Sequence, residues 1–197
     1  MRDTWYGDKR DLVKWGTLAH IAQRESLDLI VQVPYLRCGE RPPLHTNLGH
    51  VQIDIAVWSF FRNVYAVEAL GAAFGRRIVV IQDAFDRRKR ETYRQRVASE
   101  LARFPQPKVV LLDPDTGIAA GRASGEHVDA EDIKAAWYPL RIGDWLVVYQ
   151  HASRRKTWRE EAQQRFVAAC DAKHTEVFTA PEIAWDVAFI SAKKFRV

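Results

Sequence analysis

The sequence predicts an α/β protein of three layers, with a mostly parallel central sheet covered by helices on both faces. Three observations predict it. Short apolar runs alternate with helical patterns along almost the whole chain, the mark of βαβ units. The run Val109-Val-Leu-Leu112 is apolar at every position, as expected of a strand covered on both faces. Several runs end abruptly in polar segments bearing Pro, Gly, Asp or His, and open parallel sheets bind ligands beyond the carboxyl ends of their strands.

The elements follow in order. Asp8 to Arg24 reads as a helix with Asp8 as N-cap and a stripe of Leu12, Trp15, Leu18, Ala19 and Ala22. Leu29 to Val33 is a short buried strand that Pro34 stops. Arg37 to Gly49 holds Gly39, Pro42 and Pro43 and has no apolar period. It reads as a loop, and a long loop in a compact domain is usually functional. Val51 to Ala73 reads as a helix closing at Gly71 or Gly75. Ile78 to Ile81 is the next strand. Arg87 to Arg103 is a basic helix with Tyr93, Val97 and Leu101 as its buried stripe. Val109 to Leu112 runs into Asp113-Pro-Asp-Thr-Gly117, followed by the small-residue stretch Ala119 to Gly125. Ala130 to Leu140 is a helix, Trp145 to Tyr149 a strand ending in Gln150-His-Ala-Ser-Arg-Arg155, and Thr157 to Ala172 a helix. Thr175 to Thr179 and Ala184 to Ile190 are two last strands that can close as a hairpin with Pro181 at the turn. Crossovers should be right-handed. No linker, repeat or low-complexity tract interrupts residues 1–197, so one catalytic domain is the economical reading.

Composition bounds the function. With 47% hydrophobic residues over 197 positions, the chain can build a core without disulfides or metal. Its two cysteines, Cys38 and Cys170, form neither a CxxC nor a zinc spacing. Met1 to Lys9 lacks the apolar stretch of a signal peptide, and no apolar run approaches the roughly 18 residues of a membrane span. The cytoplasm is the expected compartment, a monomer the default state. A net charge of +5 fits a polyanionic partner, most often nucleic acid.

Three segments carry candidate chemistry. Asp113-Pro-Asp-Thr-Gly117 sets Asp113, Asp115 and Thr116 directly after a core strand; Pro fixes the backbone and Gly permits close approach. An ordinary turn is the competing reading, since these residues are turn formers. Gln150, His151, Ser153 and Arg154 end the next strand and suit a phosphate or a base edge; a structural core histidine is the alternative for His151. Trp5-Tyr-Gly-Asp-Lys9 presents Tyr6 and Lys9, or else is only a capped helix start. The first strand and its loop add Gln32, Tyr35 and Arg37. Arg87, Arg88, Lys89, Arg90, Arg155 and Lys156 are candidates for the nucleic-acid backbone, against a solvated helix face. GxGxxG, Walker A, HExxH, GxSxG and zinc-deaminase patterns are absent. His45, His50 and Asp54 match no strong metal template, so no metal or cofactor is expected.

An Asp and a His at neighbouring strand ends suit hydrolysis of an N-glycosidic bond: the carboxylate positions water and stabilises a cationic sugar, while an imidazole or a guanidinium, His151 or Arg154, stabilises the departing base. The chain also resembles the uracil-DNA-glycosylase superfamily. Val31-Gln-Val-Pro-Tyr35 is similar to its Gly-Gln-Asp-Pro-Tyr motif, although Val33 stands where the acid belongs. Gln150-His-Ala-Ser153 is similar to its His-Pro-Ser motif, without the Pro. Leu112-Asp-Pro-Asp-Thr-Gly117 and Tyr149-Gln-His151 resemble small bacterial anti-phage DNA glycosylases. That resemblance implies a uracil-DNA-glycosylase-like fold and a metal-free hydrolase. Such an enzyme flips glucosylated hydroxymethylcytosine out of phage DNA and leaves an abasic site, with Asp113 the favoured carboxylate and Asp113→Ala inactive but folded. From Val109 onward the order of strand, acidic turn, helix, strand, helix and terminal hairpin also resembles the second half of class I methyltransferases, which implies adenosylmethionine as cofactor. Against it, no aromatic follows the Pro and no Gly-rich turn precedes it. A metal-dependent nuclease using Asp83, Asp113 and Asp115, and a non-enzymatic basic binding module, complete the alternatives.

Overall fold

The computed structural model describes residues 8–37, 43–47, 49–54 and 66–195. The first half of the described chain holds α1 (Lys9–Arg24), β1 (Leu29–Val33), β2 (Pro43–Thr46), β3 (Gly49–Gln52), α2 (Val67–Ala73) and β4 (Arg77–Val80). A 3-10 turn, Arg87–Lys89, leads into α3 (Arg90–Ala102), followed by β5 (Lys108–Leu112), β6 (Gly117–Ile118), β7 (His127–Val128) and α4 (Ala130–Trp137). The chain then runs through β8 (Trp145–His151), α5 (Trp158–Cys170), β9 (Thr175–Ala180), the short α6 (Pro181–Ala184) and β10 (Trp185–Lys193).

Six strands build the central sheet in the order β4-β1-β5-β8-β10-β9. β4, β1, β5 and β8 are mutually parallel. β10 returns antiparallel between β8 and β9, so the terminal hairpin straddles the sheet edge with Pro181–Ala184 at its bend. The α/β class and the mostly parallel sheet are therefore as the sequence predicts. The reversed hairpin makes the sheet more than a small parallel one.

Strand alternation explains the layers, because successive side chains point to opposite faces. Val31, Val110, Leu112, Leu146 and Val148 pack with Val97, Leu101, Ile133 and Phe166 of α3, α4 and α5. Ile30, Val109, Leu111 and Val147 pack on the other face with Leu18, Ile21 and Ala22 of α1 and Val67 of α2. Burying strands such as β5, with every residue inside, requires apolar residues at both parities, which is why they read as continuous runs.

Three local expectations fail for identifiable reasons. Leu12 is 64% exposed, and Val13 and Ile21 take its place in the core; the helical stripe is rotated by one residue. The expected loop Arg37 to Gly49 contains β2, which pairs antiparallel with β3. Val51 and Gln52 consequently belong to a strand rather than a helix; β-branched Val suits either period over so short a run. Tyr6 lies outside the described residues. Among those described, no helix is long and apolar enough to cross a membrane.

Candidate functional site

Strands β1, β5 and β8 end side by side, and α1 crosses above them. Its N-cap is Asp8, whose carboxylate accepts from the backbone N–H groups of Arg10 and Asp11. This places Asp11 and Lys14, one turn apart, over the end of β5. Lys14 Nζ donates to Asp11 Oδ1 at 2.6 Å and to Asp113 Oδ2 at 2.9 Å. Gln32 of β1 donates to the same Asp113 oxygen at 2.7 Å. Asp113 is only 1% exposed. Burial alone disfavours the charged lysine, but Asp113 and Asp11 outweigh it and raise the Lys14 pKa above its ordinary value. The Lys14 ammonium also lies 5.8 Å from the centre of the Tyr149 ring. Burial, aided by the charge of Asp113, raises the phenol of Tyr149, so it stays protonated at neutral pH.

A second network adjoins the first. Asp186 Oδ2 accepts from Arg10 at 2.5 Å and 3.0 Å and faces His151 Nε2 at 3.2 Å. His151 Nδ1 faces the Ala152 carbonyl at 3.2 Å. Burial pushes Asp186 up, but the hydrogen bond and charge of Arg10, with His151 adding to them, bring the carboxyl below its ordinary value.

The two networks adjoin a pocket of about 460 Å3, bounded by Asp8, Arg10, Asp11, Lys14, the Asp113–Thr116 turn, Glu126, Tyr149 and His151. The volume lies in the range of small-molecule sites. Five carboxylates line it against two full cations. Arg37 reaches from beyond β1 to pair with Asp115 and Glu126.

The structure thus brings together Asp113, Asp115, Thr116 and His151 from the sequence prediction, with Arg37 holding one wall. It separates or reassigns others. Tyr35 is 2% exposed and packs edge-on to Phe85, at 5.1 Å between ring centres, leaving no face for a base. Gln32 is fully buried on Asp113, not on a ligand. Gln150 is a staple: its Oε1 accepts from Ile118 N–H at 2.8 Å and its Nε2 donates to His151 O at 2.8 Å. Gly117, at φ +112°, is required there, because a Cβ would lie 2.5 Å from Gln150 Oε1. Lys9 is exposed and lines no part of the pocket. Ser153 and Arg154 line a neighbouring cleft that shares Thr116 and His151 with the pocket.

The basic helix is also not the free phosphate footprint that the sequence suggested. Arg90 pairs with Asp132, donates to Ser124 O at 2.6 Å and stacks on Phe85. Arg94 binds Asp129 and Asp132, the capping box of α4, and Arg88 binds Asp86. The charge run serves mainly to clamp α3 to α4; Arg87 and Lys89 remain exposed. Arg155 and Lys156 are exposed as well, Arg155 pairing with Glu161. The three carboxylates of the nuclease alternative do not converge. Asp83 pairs with Arg96 at 2.7 Å and lines a separate cavity, and no group of His, Cys, Asp and Glu suited to a metal occurs among the described residues.

Sequence reasoning missed Asp11, Lys14, Arg10, Asp186, Glu126 and Tyr149. Two signals were present. Asp11, Lys14 and Leu18 share one face of α1, which sets a charge pair on the buried side. Asp186 is the lone acid in a mostly apolar strand.

No protein-family profile matches the sequence, and no curated protein does. Among solved structures, the fold is similar to a spermidine synthase from Thermotoga maritima, with 11% identity and a TM-score of 0.45 over 92% of this chain. This chain spans 58% of that protein's length. It is also similar to a DUF574 family protein from Streptomyces avermitilis, with 10% identity and a TM-score of 0.41, over 94% of this chain and 82% of the other. Likenesses so remote carry no activity across. Neither is a DNA glycosylase, the class that the sequence led one to expect. The geometry corrects the glycosylase mechanism: Asp113, assigned to stabilise a cationic sugar, already neutralises Lys14 and is closed to solvent.

Proposed function

We propose that the chain is a methyltransferase-like enzyme whose strand-end pocket takes a small cationic ligand, with adenosylmethionine the candidate. The observation that supports it most directly is the charge of the pocket: five carboxylates against Arg10 and Lys14 in its lining, with Arg37 behind the wall on Asp115 and Glu126. A net-negative cavity attracts a cation and resists a free phosphate. The strand order supports the same reading. After β5 the chain runs through an acidic turn, α4, β8, α5 and a terminal hairpin, the order for which the sequence resembles class I methyltransferases.

The residues fit the cationic end of adenosylmethionine. Asp8, Asp115 and Glu126 are partly exposed in the pocket wall and would hold its ammonium or sulfonium. The end of β1 offers no glycine for close approach of a nucleoside; Val33 and Tyr35 are buried there. The ligand would therefore lie against α1 and the Asp113–Thr116 turn. When bound, adenosylmethionine supplies an electrophilic methyl group. The chain's part is to neutralise the positive charge, exclude water, and keep the Tyr149 hydroxyl protonated beside it. Asp113 acts by positioning Lys14 and Gln32, not by touching substrate.

Titration calorimetry with adenosylmethionine and its uncharged thioether product, adenosylhomocysteine, tests this reading. Binding of the sulfonium form about tenfold tighter than the thioether, weakened by Glu126→Gln, is the expected result. Absence of binding by either would overturn the proposal.

A further inference from the structure

We propose that the cleft on the other side of His151 is a phosphate-binding subsite, and that the phosphate belongs to the acceptor, a nucleotide or nucleic-acid strand. The identity of the acceptor rests on the transfer activity proposed above; the phosphate site does not.

The cleft encloses about 430 Å3 and is walled from the acidic pocket by Thr116 and His151, which line both. Its charge is the reverse. Arg154, Arg155 and Arg165 line it against the single carboxylate Glu161. That carboxylate is already engaged: it accepts from the Thr157 hydroxyl at 2.8 Å and from Arg155 at 3.3 Å, with Arg165 at 3.8 Å. Arg154 has no hydrogen-bond or charge partner among the described residues, and the buried Arg165 Nε has none either. A guanidinium with unspent donors is built for the paired oxygens of phosphate.

Two further features point the same way. α5 opens at Trp158, in the cleft wall, and its N-cap Thr157 makes no side-chain cap. Its first N–H groups are thus not taken by a side-chain cap, although Glu160 and Glu161 stand in the same first turn. His127, also in the wall, is held at Nδ1 by Ser124 Oγ at 2.7 Å. The same hydroxyl accepts from Glu126 N–H at 3.1 Å, which fixes the Ser124 side chain against the ring. Burial lowers the His127 pKa and so favours the neutral ring. None of these groups reads a base edge, so the site is indifferent to sequence. A phosphate seated here holds its nucleoside across the Thr116–His151 wall, facing the cationic ligand.

The test uses the full chain. Affinities are measured for a labelled single-stranded oligonucleotide by anisotropy, and for a mononucleotide and inorganic phosphate by calorimetry. Arg154→Ala and Arg165→Lys are compared with wild type, with melting curves as the folding control. The oligonucleotide is expected to bind with a log affinity that falls linearly with log salt. Each variant should weaken it roughly tenfold, and Arg154→Ala should reduce the salt slope by about one. Adenosylmethionine affinity should not change. Equal affinity for the mononucleotide assigns a free nucleotide as acceptor, and tighter oligonucleotide binding assigns a nucleic acid. Arg-dependent phosphate binding without adenosylmethionine binding would sustain the subsite and sink the transfer reading. Phosphate binding that is absent, or unaltered in both variants, overturns the subsite.

Discussion

Strand β5 carries a buried Lys–Asp pair at each end, and the two ends have been put to different uses. At its start, Lys108 Nζ donates to Asp144 Oδ2 at 2.7 Å and to the Phe104 carbonyl at 3.1 Å, and Lys108 N–H donates to Asp144 Oδ1 at 3.0 Å. Both residues are fully buried and line none of the cavities described above. At the other end, Lys14, Asp11 and Asp113 are nearly as buried, yet they line a cavity. Orphaned polar atoms surround that network: Gln32 Oε1 and Asp186 Oδ1 are buried without a partner. A sealed pair closes its hydrogen bonds internally, whereas a pair beside a pocket leaves acceptors over, and leftover buried acceptors mark a place where something else belongs.

Breaking the pairs is the strongest way to test this contrast. Lys14→Met strands Asp11 and Asp113 and is expected to cost about 3–5 kcal/mol. Lys108→Met strands Asp144 at a similar cost. Urea unfolding measures both. Near-neutral effects at either end would show that the carboxylates take up protons or water without penalty. The same argument revises the sequence expectation for Asp113→Ala. Removing Asp113 strips Lys14 of one of its two carboxylates, so the variant loses stability as well as activity and is a poor test of catalysis.

Gly117→Ala is next in size. At φ +112°, with Gln150 Cα only 2.9 Å from the position of an added Cβ, the substitution strains the turn and displaces the staple to β8. A loss of about 1–3 kcal/mol is expected, read as a lowered Tm. An unchanged Tm would mean that the turn relaxes freely and that its geometry does not position Asp115 or Thr116.

The architecture was legible because it rests on strand-length runs whose composition is dictated by burial on two faces. β1 falls on the predicted residues, and the ends of β4, β5 and β9 are close to them. The site was half legible. Asp113 and Asp115 stand out because two acids directly after an apolar strand break its pattern, although Asp113 is itself buried. Lys14 and Asp186 were hidden because each sits in an apolar pattern and acquires its partner only through the fold, at separations of 99 residues for Lys14–Asp113 and 176 for Arg10–Asp186. Charge runs misled for the opposite reason. The basic residues of α3 looked like a polyanion footprint, but Arg90 and Arg94 meet Asp129 and Asp132 across the helix–helix contact.

Asp186 gives the contrast a pH dependence. Its folded pKa is below the ordinary 3.8. The stabilisation is therefore complete above that value and is lost as pH falls through the lower, folded pKa. Arg10→Ala removes the main cause of the lowering. The variant should be less stable than wild type near neutrality, and the two stabilities should converge in acid. Melts between about pH 2 and pH 7 follow this. A constant gap at all pH values would show that Arg10 contributes by packing alone.

The smallest effect sharpens the comparison most. Arg154 lines the basic cleft, is exposed, and makes no contact with a charge among the described residues. Its replacement by Ala should change stability by less than about 0.5 kcal/mol, in contrast to Lys14 a short distance across the His151 wall. The physical difference is what each cation faces. Lys14 is neutralised by the protein's own carboxylates and holds the fold, so its removal is felt at once. Arg154 is neutralised only by solvent, so its removal is felt only when an anion arrives. A melt of Arg154→Ala within error of wild type, with lost oligonucleotide affinity, would separate the two roles. A destabilised Arg154→Ala would show that the cleft, like the buried pairs of β5, is part of what holds the chain together.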